Sequence, residues 1–158
     1  MHPTTLAISL TALLLLAAAP NPSAPKPAMA PTPAAASAKE PEHITIQHVL
    51  IGFTGSVRGK NITRTQDEAK KLAEDILARA KKGEDFDGLV KKYTDDSPPG
   101  IYAMANNGAT PAAGEYARGR MVPAFGDAGF PLQVGEFGMA SYDKAKSPYG
   151  WHIVKRLK

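Results

Sequence analysis

Apolar and polar positions follow two different rhythms along residues 43–158. Ile44-Thr45-Ile46-Gln47-His48-Val49-Leu50-Ile51 is short and rich in β-branched residues, the composition of a strand. Gly52, Gly55 and Gly59 then mark a loop. From Ala69 the spacing changes: Ala69, Leu72, Ile76, Leu77 and Ala80 share one face at helical period. Thr65-Gln66-Asp67-Glu68 has the capping-box pattern, so the helix starts there, and Gly83 supplies a left-handed stop. Asp67 and Glu68 suit the positive end of that helix dipole, Lys81 and Lys82 the negative end. A second, shorter helix begins near Asp85 and buries Phe86, Leu89, Val90 and Tyr93.

Asp95 to Gly114, interrupted by Pro98, Pro99, Asn106-Asn107-Gly108 and Pro111, reads as a long loop. A short strand is expected at Tyr116, and a helix opening on Pro123 carries Ala124, Phe125, Ala128 and Phe130. Two closing strands are expected near Gly138–Tyr142 and Trp151–Leu157, joined by a turn through Ser147-Pro148-Tyr149-Gly150. This order predicts an α+β domain with a small four-stranded antiparallel sheet and about four helices.

The N-terminal part has another texture. Leu6 to Ala19 is an unbroken run of apolar and small residues, shorter than the roughly 20 needed to span a bilayer. Residues 1–19 therefore read as a signal peptide, a buried N-terminal helix being the alternative. Seven of the chain's 14 prolines fall between Pro20 and Pro41, mostly among Ala and Ser. Such a stretch has too little large apolar surface to offset chain entropy, so residues 20–42 are expected to form a semi-rigid linker. The folded domain is then 43–158, in a periplasmic or secreted protein with no membrane span after processing.

Composition narrows the chemistry. Without cysteine there is no disulfide, no thiol nucleophile and no Cys-ligated metal. The net charge of +4 is interspersed, without the basic and aromatic stripe of a nucleic-acid binder. Arg58, Lys60 and Arg64 read as a solvated loop. What remains is a pair of histidines, His48 and His152, each inside a strand-like run apolar enough to be buried. A buried imidazole needs a hydrogen-bond partner, and two adjacent strands would let the pair satisfy each other. His43, five residues before His48, belongs to the opposite strand face, so the two cannot share a metal. Asp95-Asp96 suit a turn or cap as well as a site, and Met121 with Phe125 suit plain core packing as well as a pocket.

Several segments in order resemble the parvulin family of peptidyl-prolyl cis/trans isomerases: Gln47-His48-Val49-Leu50, Ile62 to Ala69, Gly83-Glu84-Asp85-Phe86, Tyr93-Thr94-Asp95-Asp96-Ser97, Arg118-Gly119-Arg120-Met121 and Tyr149-Gly150-Trp151-His152-Ile153. The resemblance covers nearly all of 43–158. It implies that His48 and His152 pair beneath an active site, that Asp96 faces the substrate imide, and that Ser147 supports the histidine network. It implies a proline pocket lined by Met121 and Phe125. Pro111-Ala112-Ala113-Gly114 stands where the family has a Gly-Gly-Asp-Leu-Gly-like segment, so Ala113 is expected at the pocket wall in place of a leucine. No cofactor or metal is implied. The partners implied are Pro-containing unfolded or extended polypeptides, met by a monomer that does not bind nucleic acid. A chaperone-like peptide-binding module with little catalysis is the alternative.

Overall fold

The structure, a computed structural model, describes residues 39–158. The expected signal peptide and most of the expected linker lie outside the described residues. Strand β1 spans His43–Ile51, helix α1 Gln66–Lys81, helix α2 Phe86–Tyr93 and strand β2 Ile101–Ala105. Strand β3 (Tyr116–Ala117) runs into a 3₁₀ turn at Arg118–Arg120, followed by helix α3 (Pro123–Gly129), strand β4 (Phe137–Ala140) and strand β5 (Trp151–Arg156). The sheet order is β3-β2-β1-β5-β4, parallel only between β2 and β3. No helix of the described residues is long and apolar enough to cross a membrane.

The α+β class agrees with the expectation, and the element count corrects it. There are five strands rather than four, one of them paired in parallel, with three α-helices and a 3₁₀ turn among the described residues. The additional strand, β2, lies inside the stretch expected to be a loop. Its sequence, Ile-Tyr-Ala-Met-Ala, is short and only half β-favouring. Tertiary pairing with β1 (Gln47 opposite Ile101, Ile46 opposite Tyr102, Ile44 opposite Met104) supplies what local preference does not.

Helix α1 starts as its sequence requires. The Thr65 hydroxyl accepts from the Glu68 amide at 3.2 Å, and the Glu68 carboxylate accepts from the Thr65 amide at 2.7 Å. Ala69, Ala73, Ile76 and Ala80 face the sheet, and the alanines let the helix approach closely. Helix α2 is capped by Asp85, whose carboxylate accepts from the Gly88 amide at 2.9 Å.

Because side chains alternate along a strand, β1 and β5 serve both sheet faces. Val49, Ile51, Trp151 and Ile153 point to one face and form a core with Ile76, Phe86, Leu89 and Val90 of α1 and α2. Ile44, Ile46 and Val154 point to the other and pack with Met104, Phe125 and Phe130. His48, Leu50 and His152 keep step with this second set. In the β1–β5 register His48 lies opposite Val154 and Leu50 opposite His152, which makes the two histidines diagonal neighbours on one face.

Two glycines bring connecting segments against β1. Gly100 has φ +66°, and a Cβ there would lie 2.5 Å from the His48 carbonyl oxygen. Gly150 has φ +135°, and a Cβ would lie 2.1 Å from the Ile51 carbonyl. No other residue fits at either position. Ordered contacts reach back to Glu40, whose carboxylate accepts from Arg118 Nη1 at 2.6 Å.

Candidate active site

Three polar side chains form a hydrogen-bonded chain on the α3 side of the sheet. His48 Nδ1 and His152 Nδ1 are 3.1 Å apart, their rings nearly parallel, so one nitrogen donates and the other accepts. His48 Nε2 lies 3.0 Å from Asp96 Oδ2. An ionised carboxylate only accepts, so this nitrogen carries a proton. The Tyr102 hydroxyl donates to the same Oδ2 at 2.9 Å. Phe125 sets its edge against His48, His152 and Tyr102, with centroid separations of 4.9, 5.3 and 5.6 Å.

Asp96 is placed by the segment that follows α2. Its amide donates to Thr94 Oγ1 at 3.2 Å, and that hydroxyl also accepts from the Leu50 amide at 3.1 Å. The Asp95 amide donates to the Leu50 carbonyl at 2.8 Å. The Asp95 side chain turns away from the site, accepting from the Gly52 amide at 2.8 Å and pairing with Arg64. Further along, Gln47 Nε2, buried on the opposite face, donates to the Pro99 carbonyl at 3.0 Å and to Asp87 Oδ1 at 2.6 Å. The His48 amide donates to the Gly100 carbonyl at 2.9 Å. The acidic segment is thus tied to β1 at both ends.

The environment sets protonation. The hydrogen bond from His48, reinforced by that from Tyr102, holds the Asp96 carboxyl well below the usual carboxylate range despite partial burial. Burial, and then the bond to Asp96, push the Tyr102 phenol up to about 12. Burial pushes His152 down to about 3, so it is neutral at ordinary pH. Its Nε2 is buried with no hydrogen-bond partner.

These groups open into a cavity of about 230 Å³. Leu50, Met121, Val122 and Phe125 supply apolar wall, Val57 and Tyr149 stand on the loop side, and Tyr102 and Asp96 complete the lining with the two histidines. Of the residues expected from sequence, the structure brings together His48, Asp96, His152, Met121 and Phe125. Two expectations are corrected. Ser147 is fully buried, but its hydroxyl donates to the Gly150 carbonyl at 2.8 Å and bonds to neither histidine; the tight turn that Gly150 makes against β1 consumes it. Ala113 is exposed in the Ala112–Glu115 turn, outside the cavity. The wall expected of it belongs to Tyr102, which β2 places opposite Ile46 on the site's face. Tyr102, Leu50, Val57, Val122 and Tyr149 were not anticipated. For Tyr102 the available signal was the alternation of Tyr102 with Met104.

A family model described as the PPIC-type PPIASE domain matches residues 34–158. The chain is similar to the foldase protein PrsA of Caldanaerobacter subterraneus subsp. tengcongensis, 42% identical over 86 residues, covering 54% of this chain and 24% of that protein. It is also similar to the foldase protein PrsA of Bacillus subtilis, 35% identical over 108 residues, covering 68% of this chain and 32% of that protein. It therefore spans less than a third of the length of these relatives. Among solved structures, the peptidyl-prolyl isomerase ESS1 from Candida albicans superposes with a TM-score of 0.58 at 26% identity, over 74% of this chain and 63% of that one. With its residues 34–158 matched throughout and its fold shared, the chain belongs to the parvulin, or PPIC-type, family of peptidyl-prolyl cis/trans isomerases.

Proposed function

We propose that residues 43–158 accelerate rotation about X–Pro bonds in unfolded or exported polypeptides, and so assist folding outside the cytoplasm, in the periplasm or as a secreted protein. Residues 1–19 serve as the export signal and those from 20 up to the contacts that begin at Glu40 as the linker, shorter than the 20–42 expected from sequence, and the domain acts as a monomer. The foldase names of its relatives support this setting. The observation that carries the reading is the Asp96–His48–His152 chain set into an otherwise apolar cavity sized for a small ring.

The reaction makes and breaks no covalent bond. Its barrier, roughly 18–20 kcal/mol, is the amide resonance lost as the bond twists. A catalyst must favour the twisted imide over the planar one. Leu50, Met121, Val122 and Phe125 form the socket that holds the proline ring while the preceding carbonyl turns. In the planar imide that carbonyl oxygen carries resonance-enhanced negative charge, and in the twisted state it is closer to a ketone oxygen. A carboxylate fixed nearby raises the planar state more than the twisted one. Asp96 supplies that charge. His48 holds the carboxylate in place, and His152 fixes the tautomer and tilt of His48.

A weakly or non-catalytic peptide-holding module is the alternative that the altered Pro111–Gly114 segment favours, since Ala113 in place of a leucine leaves a looser pocket wall. Tyr102 in that wall supports the isomerase instead. The test is cis-to-trans isomerisation of unmodified X-Pro peptides by wild type, Asp96→Ala and Phe125→Ala. Each substitution is expected to lower kcat/KM by roughly 10- to 100-fold while circular dichroism still reports a folded domain. Wild-type rates from both variants sink the site assignment, and peptide binding without any acceleration moves the protein to the holding class.

A further inference from the structure

Arg118 opens the 3₁₀ turn that precedes α3, and its side chain lies outside the cavity, 14% exposed. Its stem crosses α3 at Gly126, where a Cβ would lie 2.9 Å from Arg118 Cγ and 3.0 Å from its Nε. The helix thus forgoes a side chain, and helix propensity with it, to admit this arginine. The guanidinium carbon sits 4.7 Å from the centre of the Phe130 ring.

The guanidinium joins three further parts of the chain to the turn. Nη2 donates to Asp127 Oδ1 on α3 at 2.8 Å. Nη1 donates to Asn106 Oδ1, just after β2, at 2.9 Å, and to Glu40 Oε2, ahead of β1, at 2.6 Å. Asn106 closes the set: Nδ2 donates to Glu40 Oε2 at 3.1 Å and to the Pro41 carbonyl at 3.0 Å, and its amide donates to the Glu42 carbonyl at 2.8 Å.

The parts that meet at Arg118 also carry much of the proline socket. The Met121 amide donates to the Arg118 carbonyl at 3.1 Å, and the Val122 carbonyl accepts from the Phe125 amide at 2.9 Å. Met121, Val122 and Phe125 all line the cavity. The Asp96–His48–His152 chain stands instead on β1, β5 and the segment after α2, and Arg118 hydrogen-bonds to none of these.

We infer that Arg118, held by Glu40, is a positioning residue for substrate affinity, through which the segment entering β1 fixes the wall formed by Met121 and Val122. The inference rests on the cavity being the isomerase site. A lone exposed ion pair would position little, because two flexible side chains must be ordered to make it. A mostly buried guanidinium is different: its planar fork holds several acceptors at set angles. Removing the Glu40 carboxylate leaves that cation short of an anion and takes an acceptor from Asn106. The turn is then free to shift against the sheet, and the socket wall shifts with it. A misplaced wall weakens grip on the ring in the planar and twisted states alike, which raises KM and spares kcat.

The experiment measures KM and kcat of the full chain on unmodified X-Pro peptides for wild type, Glu40→Gln, Arg118→Gln and the double variant, with circular dichroism to confirm folding. Each single substitution is expected to raise KM by roughly three- to tenfold, with kcat within about twofold and the acidic limb of its pH profile unmoved. The double variant should be no worse than Arg118→Gln, since the carboxylate acts through the guanidinium. Lys39→Gln removes only the exposed partner of Glu42 and should leave KM at the wild-type value. Should Arg118→Gln not fold, Glu40→Gln decides alone. A folded Glu40→Gln with wild-type KM, whatever its stability, overturns the inference, as does a fall in kcat at constant KM or additivity in the double variant. Each of those results leaves the isomerase intact, whereas absence of turnover by the wild type overturns the underlying site assignment instead.

Discussion

The two faces of the sheet share strands yet have opposite characters. On the α1/α2 face, Val49, Ile51, Trp151 and Ile153 close against helical side chains in a dry core. Its buried polar side chain, Gln47, finds two acceptors in Asp87 and Pro99. On the α3 face the alternate residues of the same strands include His48 and His152, an open cavity, and a buried ring nitrogen with no partner. Leaving such a nitrogen unsatisfied costs about 1–3 kcal/mol. The α1/α2 face is therefore closed by apolar packing throughout, while the α3 face combines a smaller core of Ile44, Ile46, Met104, Phe125, Phe130 and Val154 with buried polar groups and an open cavity. The two-residue period of a strand is what makes the division possible.

The comparison can be broken most decisively from the closed side. Ile76 is fully buried on the inner face of α1 and distant in the fold from the cavity lining. Ile76→Ala should cost about 2–5 kcal/mol in urea unfolding, the loss of a buried side chain plus the cavity left behind. The kcat/KM of molecules that remain folded should stay within about twofold, since losing three side-chain carbons from the inner face of α1 moves no donor on the other face. A parallel collapse of stability and activity in the folded population would show that the faces are not separable.

A second test reads the polar face through pH. His152 is held neutral in the fold down to about 3, whereas in the unfolded chain it titrates near 6.5. Between those values the unfolded state binds more protons than the folded one, so stability falls as pH falls. For one group the slope reaches at most about 1.4 kcal/mol per pH unit. Asp96 is depressed in the fold and withdraws its own contribution as pH falls below roughly 5, where an unfolded carboxyl begins to bind protons. Glu68, Glu84 and Glu115 are likewise depressed and join Asp96 as pH falls towards about 5, so the histidine dominates the slope only in the window from about pH 5.5 to 6.5. His152→Leu should flatten the stability profile there, measured by denaturant midpoints at stepped pH. A slope that persists unchanged in this variant assigns it to another group and removes His152 from the account.

The same division explains what could be read in the sequence. Helix α1 was legible from Thr65-Gln66-Asp67-Glu68 and the 3.6-residue period, because capping and amphipathicity are local. Strands β1 and β5 were legible because β-branched residues crowd them, and the histidine pair followed from placing those strands together. Strand β2 was not legible: Ala103-Met104-Ala105 has weak strand preference, Pro98-Pro99-Gly100 announces a break, and the pairing that fixes it is with β1, over fifty residues away in sequence. Without β2 the sequence points to Ala113 for the wall, and no local signal sets Tyr102 apart. The partner of Ser147 is hidden for a related reason, since its acceptor depends on how Gly150 folds the turn back against Ile51.

The smallest expected effect belongs to Tyr102, and it separates packing from electrostatics within the site. Tyr102→Phe keeps the ring whose edge meets His48 and Phe125, and removes only the hydroxyl that donates to Asp96 Oδ2. Asp96 then retains the His48 donor alone, so its anion is less favoured and its pKa rises. With the socket of Leu50, Met121, Val122 and Phe125 untouched, KM should hold while kcat falls roughly three- to tenfold, as befits loss of one of two donors to a partly exposed carboxylate. The acidic limb of the kcat profile should move to higher pH, because protonation now removes the charge sooner. A rise in KM with an unmoved acidic limb would instead assign Tyr102 to the wall alone. The electrostatic half of the site would then contract to Asp96 and the two histidines, with β2 contributing shape and no charge control.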